Sequence, residues 1–263
     1  MRPALLALMS IAALAACGER VVELGRGDDA PIDASVDVDG EPPPPCTPGD
    51  TQCSNCVDDD GDGQIDGFDI ECTGALDDDE GSFDTAISGD NQDVTQVDCF
   101  YDGDSGGGTD GCDVHVCCML DECPPTLPGP MWDPEDPTLC DVSPECVAFC
   151  EPLAPPGCDC FGCCTVCEGA DCVDIYLSPA LAGDCDADTI DDPVACPRCH
   201  KLTACETPCG GTSCVLCPGQ TADDLPPSCT GAACPGGDPP CATNDDCGAS
   251  EFCAVGCCIA IVD

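Results

Sequence analysis

Hydrophobic residues in this chain fall into one long run and a few short, separated groups. The run covers Pro3 to Ala16, follows Met1 and Arg2, and ends in small residues, which is the layout of an export signal. It is too short to span a bilayer, which takes about 20 apolar residues, and Gly18, Glu19 and Arg20 follow at once. Further on, the pattern predicts a two-turn helix at Ser143–Cys150, with Ser143 as N-cap, Pro144 in the first turn and Glu145 favoured by the helix dipole. It predicts a strand at Cys172–Leu177, where Cys172, Asp174 and Tyr176 alternate with Val173, Ile175 and Leu177. Clusters of Gly, Pro and Asp fill most of the rest and read as turns and loops. No repeat of fixed period runs through the chain.

Composition says what must hold such a chain together. From Cys17 onward, Val, Leu, Ile and Phe make up 42 of 247 residues, below the level that supports ordinary apolar folding. Cysteine is the substitute: 33 of 263 residues is a disulfide-scaffold density, at home in an oxidising compartment outside the cytosol. The expected fold class is therefore small and disulfide-rich, mostly loops and turns with short β hairpins and one or two short helices, behind a disordered N-terminal tether. Charge removes other classes. With 5 Lys+Arg against 53 Asp+Glu the net charge is -48, which repels nucleic-acid phosphates and anionic lipid headgroups and leaves cations as natural partners. Arg198 and Lys201 are the only basic residues after Arg26, so ion pairing contributes little.

The end of the apolar run, Leu14-Ala15-Ala16-Cys17, resembles the lipobox of bacterial lipoproteins. The resemblance implies cleavage before Cys17, acylation of that residue, and a stable membrane anchor. Removing Cys17 from the pairing leaves an even number of cysteines, as a fully bridged ectodomain requires. Gly18 in place of an Asp favours the outer membrane within that family. The chain then divides into a signal peptide at 1–16, an acidic, Pro-rich tether at 17–45, a calcium-loop module at 46–84, a Cys-rich stapled region at 85–190, a C-x-x-C cluster at 191–228 and a small disulfide knot at 229–263.

The strongest candidate site begins at Asp58. Asp58, Asp60, Asp62 and Asp66 stand at positions 1, 3, 5 and 9 of a calcium-loop template, with Gly63 at the turn, Gln64 offering its backbone carbonyl and Ile65 at the apolar position. A hard cation taking six to eight oxygens suits carboxylates at that spacing. Asp69 occupies position 12, where the template has a Glu, and Glu71 lies two residues beyond it. Cys56 and Cys72 crowd the flanks, so disulfides replace the helices of a helix-loop-helix hand. In that form the segment is similar to a thrombospondin type 3 calcium repeat, matched at Asp60, Asp62, Gly63, Asp66, Asp69 and Cys72. The resemblance implies a calcium-ordered surface module and covers roughly 20 residues. Asp77–Gly81 and Asp184–Asp188 are weaker acidic runs without the turn glycine.

Other motifs carry less. Gly103-Asp104-Ser105-Gly106-Gly107 copies the nucleophile signature of trypsin-like proteases, but the histidines, His115 and His200, both follow Ser105. Cys196-Pro197-Arg198-Cys199-His200 has the attachment spacing of a c-type haem. Cys196 and Cys199 taken with Cys214 and Cys217 have near zinc-ribbon spacing, although disulfide loops produce the same pattern in an exported chain. The functional expectation is a non-enzymatic, calcium-binding lipoprotein of the cell envelope, anchored through lipid at Cys17, with a structural or adhesive role toward envelope, matrix or a protein partner. The competing expectation is an exported redox or metalloprotein using Cys196, Cys199 and His200 for haem or zinc.

Overall fold

The computed structural model describes residues 48–85, 95–103, 111–127, 132–178, 181, 185–231 and 233–261. Residues 1–47, with the leader, Cys17 and the whole 17–45 segment, and Ser105 lie outside these residues. The described part is disulfide-rich and dominated by loops, with three two-stranded antiparallel sheets and one α-helix. Strand β1 (Gln96–Val97) pairs with β2 (Val114–His115). Helix α1 (Pro144–Cys150) comes next, followed by β3 (Cys163–Glu168) paired with β4 (Asp171–Tyr176), and by β5 (Glu251–Ala254) paired with β6 (Cys257–Ala260). Short 3₁₀ turns supply most of the remaining regular structure, and no helix among the described residues is long and apolar enough to cross a membrane.

Helix α1 forms where the sequence places it. Ser143 Oγ accepts the Cys146 amide at 3.0 Å and donates to the Gly111 carbonyl at 2.7 Å, so one hydroxyl caps the helix and ties it to the preceding loop. Cys146 and Cys150, one turn apart on a single face, bond to Cys112 and Cys99. Seven residues could not hold a helix in water alone, so these two bridges hold it against the core.

The predicted strand exists, shifted by one residue to Asp171–Tyr176, and its partner β3 is a strand that the hydrophobic pattern did not pick out. Gly169 turns the hairpin at φ 62°, the positive-φ first position of a tight two-residue turn. Alternation survives in an altered form. Cys163 and Tyr176, paired across the ladder, enter one apolar cluster, whereas Cys164, Val166 and Ile175 enter another. The open end of the hairpin is thus a partition buried on both faces, which is why Ile175 and Tyr176 are both fully covered.

Sulfur makes up much of the core. Nine of the eighteen buried residues in the larger cluster are half-cystines. Fifteen bridges join described cysteines, and Cys56 is disulfide-bonded too, so every cysteine among the described residues is oxidised. Three bridges, Cys160–Cys205, Cys163–Cys199 and Cys185–Cys196, tie residues before 190 to residues after it. Cys214–Cys229 likewise reaches the C-terminal knot.

Buried carboxylates organise the loops between bridges. Asp159 is fully buried and accepts the amides of Phe161 and Cys163, both at 3.0 Å, and of Leu202 at 2.9 Å, setting the start of β3 against the 200–205 segment. Lys201 Nζ reaches Asp174 at 2.8 Å and Thr165 at 2.6 Å, joining that segment to both strands of the hairpin.

Candidate metal centre

The acidic loop folds by turning its carboxylates onto its own backbone. Asp58 accepts the amides of Gly61 at 2.6 Å and Gly63 at 3.1 Å, Asp60 that of Asp62 at 2.9 Å, and Asp62 that of Gln64 at 2.7 Å. Gly63 takes φ 101°, the left-handed conformation that the tight turn demands. These bonds point Asp58, Asp60 and Asp62 toward a common centre, and one oxygen from each lies within 4.8 Å of the others. Each carboxylate has lone pairs beyond those its amides use. Gln64 supports the arm through its side-chain amide, which donates to Asp62 at 3.1 Å.

A second triad shares Asp62. Oxygens of Asp62, Asp69 and Glu71 also lie within 4.8 Å of one another. Asp69 and Glu71 are only 3% and 2% exposed. One oxygen of each is engaged: Asp69 Oδ1 accepts the Glu71 amide at 2.9 Å, and Glu71 Oε1 accepts the Ala187 amide at 2.7 Å. The other two, Asp69 Oδ2 and Glu71 Oε2, are buried with no hydrogen-bond donor. Burial pushes the Asp69 carboxyl up to about 9, reinforced by the Glu71 carboxyl beside it, and burial raises Glu71 as well. A buried carboxylate pair of this kind needs either a shared proton or a cation.

Asp66, at position 9 of the template, is placed differently. Its backbone adopts φ 47°, and its carboxylate accepts the Cys56 amide at 3.0 Å and approaches Asn244 Nδ2 at 3.5 Å. It belongs to neither triad. Glu80, from the weaker acidic run Asp77–Gly81, receives the amides of Asp59 at 2.6 Å and Asp66 at 2.9 Å and so holds both ends of the loop; burial pushes its own carboxyl up to about 7. Asp77 and Asp79 in the neighbouring acidic run are likewise spent on Thr73, Gly81 and Ser82.

Glu71 is the residue that counting along the template discounts. The reason it arrives is topological: Cys72 is bonded to Cys53, which folds the end of the segment back under its beginning. The adjacency of Glu71 to a cysteine was the available signal, but the partner of that cysteine could not be read from spacing.

The Cys-His motif is placed in another setting. Cys196 is bonded to Cys185 and Cys199 to Cys163, while Cys214 and Cys217 pair with Cys229 and Cys209. The four sulfurs of the haem and zinc spacings therefore sit in four separate disulfides, a form in which they offer no thiolate to haem or zinc. His200 lies 3.5 Å from Asp121 on an exposed surface. His115 is buried, stacks on Trp132 at 4.7 Å and accepts the Cys117 amide. Two cysteine groupings that are compact enough for a metal, Cys146/Cys160/Cys205 and Cys241/Cys247/Cys253, consist of bridged sulfurs as well.

No protein-family model, curated protein or solved structure matches this chain. The carboxylate geometry around Asp62 is accordingly the basis for any functional reading.

Proposed function

We propose that this chain is a calcium-binding, disulfide-stapled lipoprotein of the cell envelope, anchored through lipid on Cys17 and serving a structural or adhesive role rather than a catalytic one. The observation that carries the calcium reading is the pair of donorless buried oxygens, Asp69 Oδ2 and Glu71 Oε2, on two carboxylates grouped with Asp62, which is grouped in turn with Asp58 and Asp60. An all-oxygen, strongly anionic set suits a hard divalent cation, and calcium tolerates its irregular geometry better than magnesium does. Envelope location is supported by the Pro3–Ala16 leader, the Leu14-Ala15-Ala16-Cys17 sequence and the oxidised state of every described cysteine. An anchored, calcium-ordered acidic surface suits attachment to envelope, matrix or a protein partner.

Calcium uptake is tested by calorimetric titration of the oxidised protein after dialysis against a chelator. Binding in the range of about 10⁻⁴ to 10⁻³ M, usual for extracellular modules, supports the reading, and absence of binding at 10 mM calcium, about ten times the weak end of that range, removes it. Intact mass of protein extracted from membranes tests the anchor. Cleavage before Cys17 with added acyl chains is the expected result, and an unmodified Cys17 overturns it.

A further inference from the structure

Resting on the calcium reading above, we infer that Glu71, and not Asp66, completes the cation's coordination, and that the same side chain couples occupancy of the site to the loop closed by Cys185–Cys196.

Three observations converge on Glu71. Its oxygen lies within 4.8 Å of oxygens from Asp62 and Asp69, and ligands on opposite sides of a calcium ion stand up to about 5 Å apart at ordinary Ca–O distances. Its Oε2 is buried with no donor, as is Asp69 Oδ2, so each of the two grouped carboxylates keeps an acceptor that a cation would satisfy. Asp66, by contrast, turns its carboxylate to Cys56 and Asn244 and stands outside both triads. The template position and the ligand position have separated because the Cys53–Cys72 bridge returns residues 69–72 to the loop.

The second half of the inference follows from the other oxygen. Glu71 Oε1 accepts the Ala187 amide at 2.7 Å across 116 residues of sequence. Ala187 opens the 3₁₀ turn Ala187–Thr189, which Asp186 and Thr189 cap reciprocally, inside the Cys185–Cys196 loop. A carboxylate bridging an ion and an amide is ordered by both. An ion on Oε2 fixes the orientation of the Glu71 carboxylate and so steadies the bond its other oxygen makes to Ala187. With the ion gone, Glu71 Oε2 loses that partner and the carboxylate is held less firmly against the Ala187 amide. Calcium at the exposed loop is thereby reported to a segment remote in sequence.

The test compares calcium titrations of the oxidised wild type, Glu71→Gln and Asp66→Asn, together with hydrogen exchange of the Ala187 amide. Glu71→Gln is expected to weaken calcium binding about 10- to 100-fold, at least the loss seen for residues that support metal ligands, and Asp66→Asn to weaken it less. Calcium is expected to slow exchange at Ala187 in the wild type and not in Glu71→Gln. Equal affinity of Glu71→Gln and wild type, or a larger loss in Asp66→Asn, overturns the ligand assignment while leaving the calcium reading intact. Where Glu71→Gln fails to regain its disulfides, wild-type exchange decides: protection of Ala187 by calcium supports the coupling, and unchanged exchange overturns it. A wild type that takes up no calcium overturns the functional reading first and this inference with it.

Discussion

Among single residues, the acids are the surprise, because several serve as framework rather than as solvated surface. Asp159 satisfies three backbone amides with no exposure, and Asp77 holds Thr73 and the Asp79 amide in the same manner. Burial pushes Asp159 up to about 6 and Asp77 up to about 7, against the pull of those amides. The sign of the pH dependence follows. A carboxyl with a folded pKa above its unfolded value binds more protons in the folded state, so its contribution is full below about pH 4 and is lost as pH rises through the folded value. In calcium-free buffer the guanidinium midpoint, with disulfides intact, is expected to fall between pH 5 and pH 8. Asp159→Asn is expected to cost about 1–3 kcal/mol at pH 7, since its NH₂ faces one of the amides and leaves a buried donor unpaired, and to flatten the pH 5–7 part of the profile. A midpoint that rises over this range contradicts the assignment.

At the scale of elements, bridges and close backbone contacts replace long helices and sheets. Cys99–Cys150 closes 51 residues, but the nested Cys112–Cys146 already closes 34 of them, which leaves an effective loop of about 17 residues and an entropic contribution of about 3 kcal/mol. Cys167–Cys172 closes only five residues across the β3–β4 hairpin and contributes about 2 kcal/mol. Paired Cys→Ala variants measured by guanidinium unfolding should fall in that order, with a further loss for Cys99–Cys150 because both of its sulfurs are buried. The C-terminal hairpin docks onto the acidic segment through Val255, whose amide donates to the Gly67 carbonyl at 2.7 Å. Val255 adopts φ 47°, an unusual conformation for a β-branched residue, and packs with Leu216 and Leu225. A methyl group at Gly67 would meet the Cys253 carbonyl and the Phe252 ring. Gly67→Ala is expected to cost about 1–3 kcal/mol and to speed amide exchange in β5. Unaltered exchange there would show that the contact does not hold the hairpin.

For the whole chain, a net charge of -48 opposes compaction, and covalent bridges together with bound cations are the two available answers. If calcium binds at about 10⁻⁴ to 10⁻³ M, 10 mM calcium adds about 1.4–2.7 kcal/mol through linkage. The expected rise in Tm is about 3–10 °C for a chain of this size, reversed by a chelator and absent with magnesium at equal ionic strength. A Tm that responds equally to both cations would indicate screening of the general charge rather than a formed site.

Some of this was legible in the order of residues alone. The scarcity of aliphatic and aromatic side chains together with the cysteine density implied a disulfide scaffold of loops and short hairpins, because nothing else in the chain could oppose its conformational entropy. Helix α1 could be read in place because capping by Ser143 and the turn preference of Pro144 are local effects. Strand β4 was visible through its alternation, whereas β3 was not, since four of its first five residues lie buried on both faces and leave no polar rhythm to detect. The acidic loop was legible as far as Asp62 because its carboxylates bond backbone within five residues. What lay beyond depended on pairing. Which cysteine joins Cys72, which amide meets Glu71 and which sulfurs meet Cys196 and Cys199 are relations between distant segments, and sequence spacing carries no information about disulfide connectivity. Tertiary structure therefore decided the positions of Glu71 and Asp66, because a bridge can return a residue to a site that local geometry alone would have it leave.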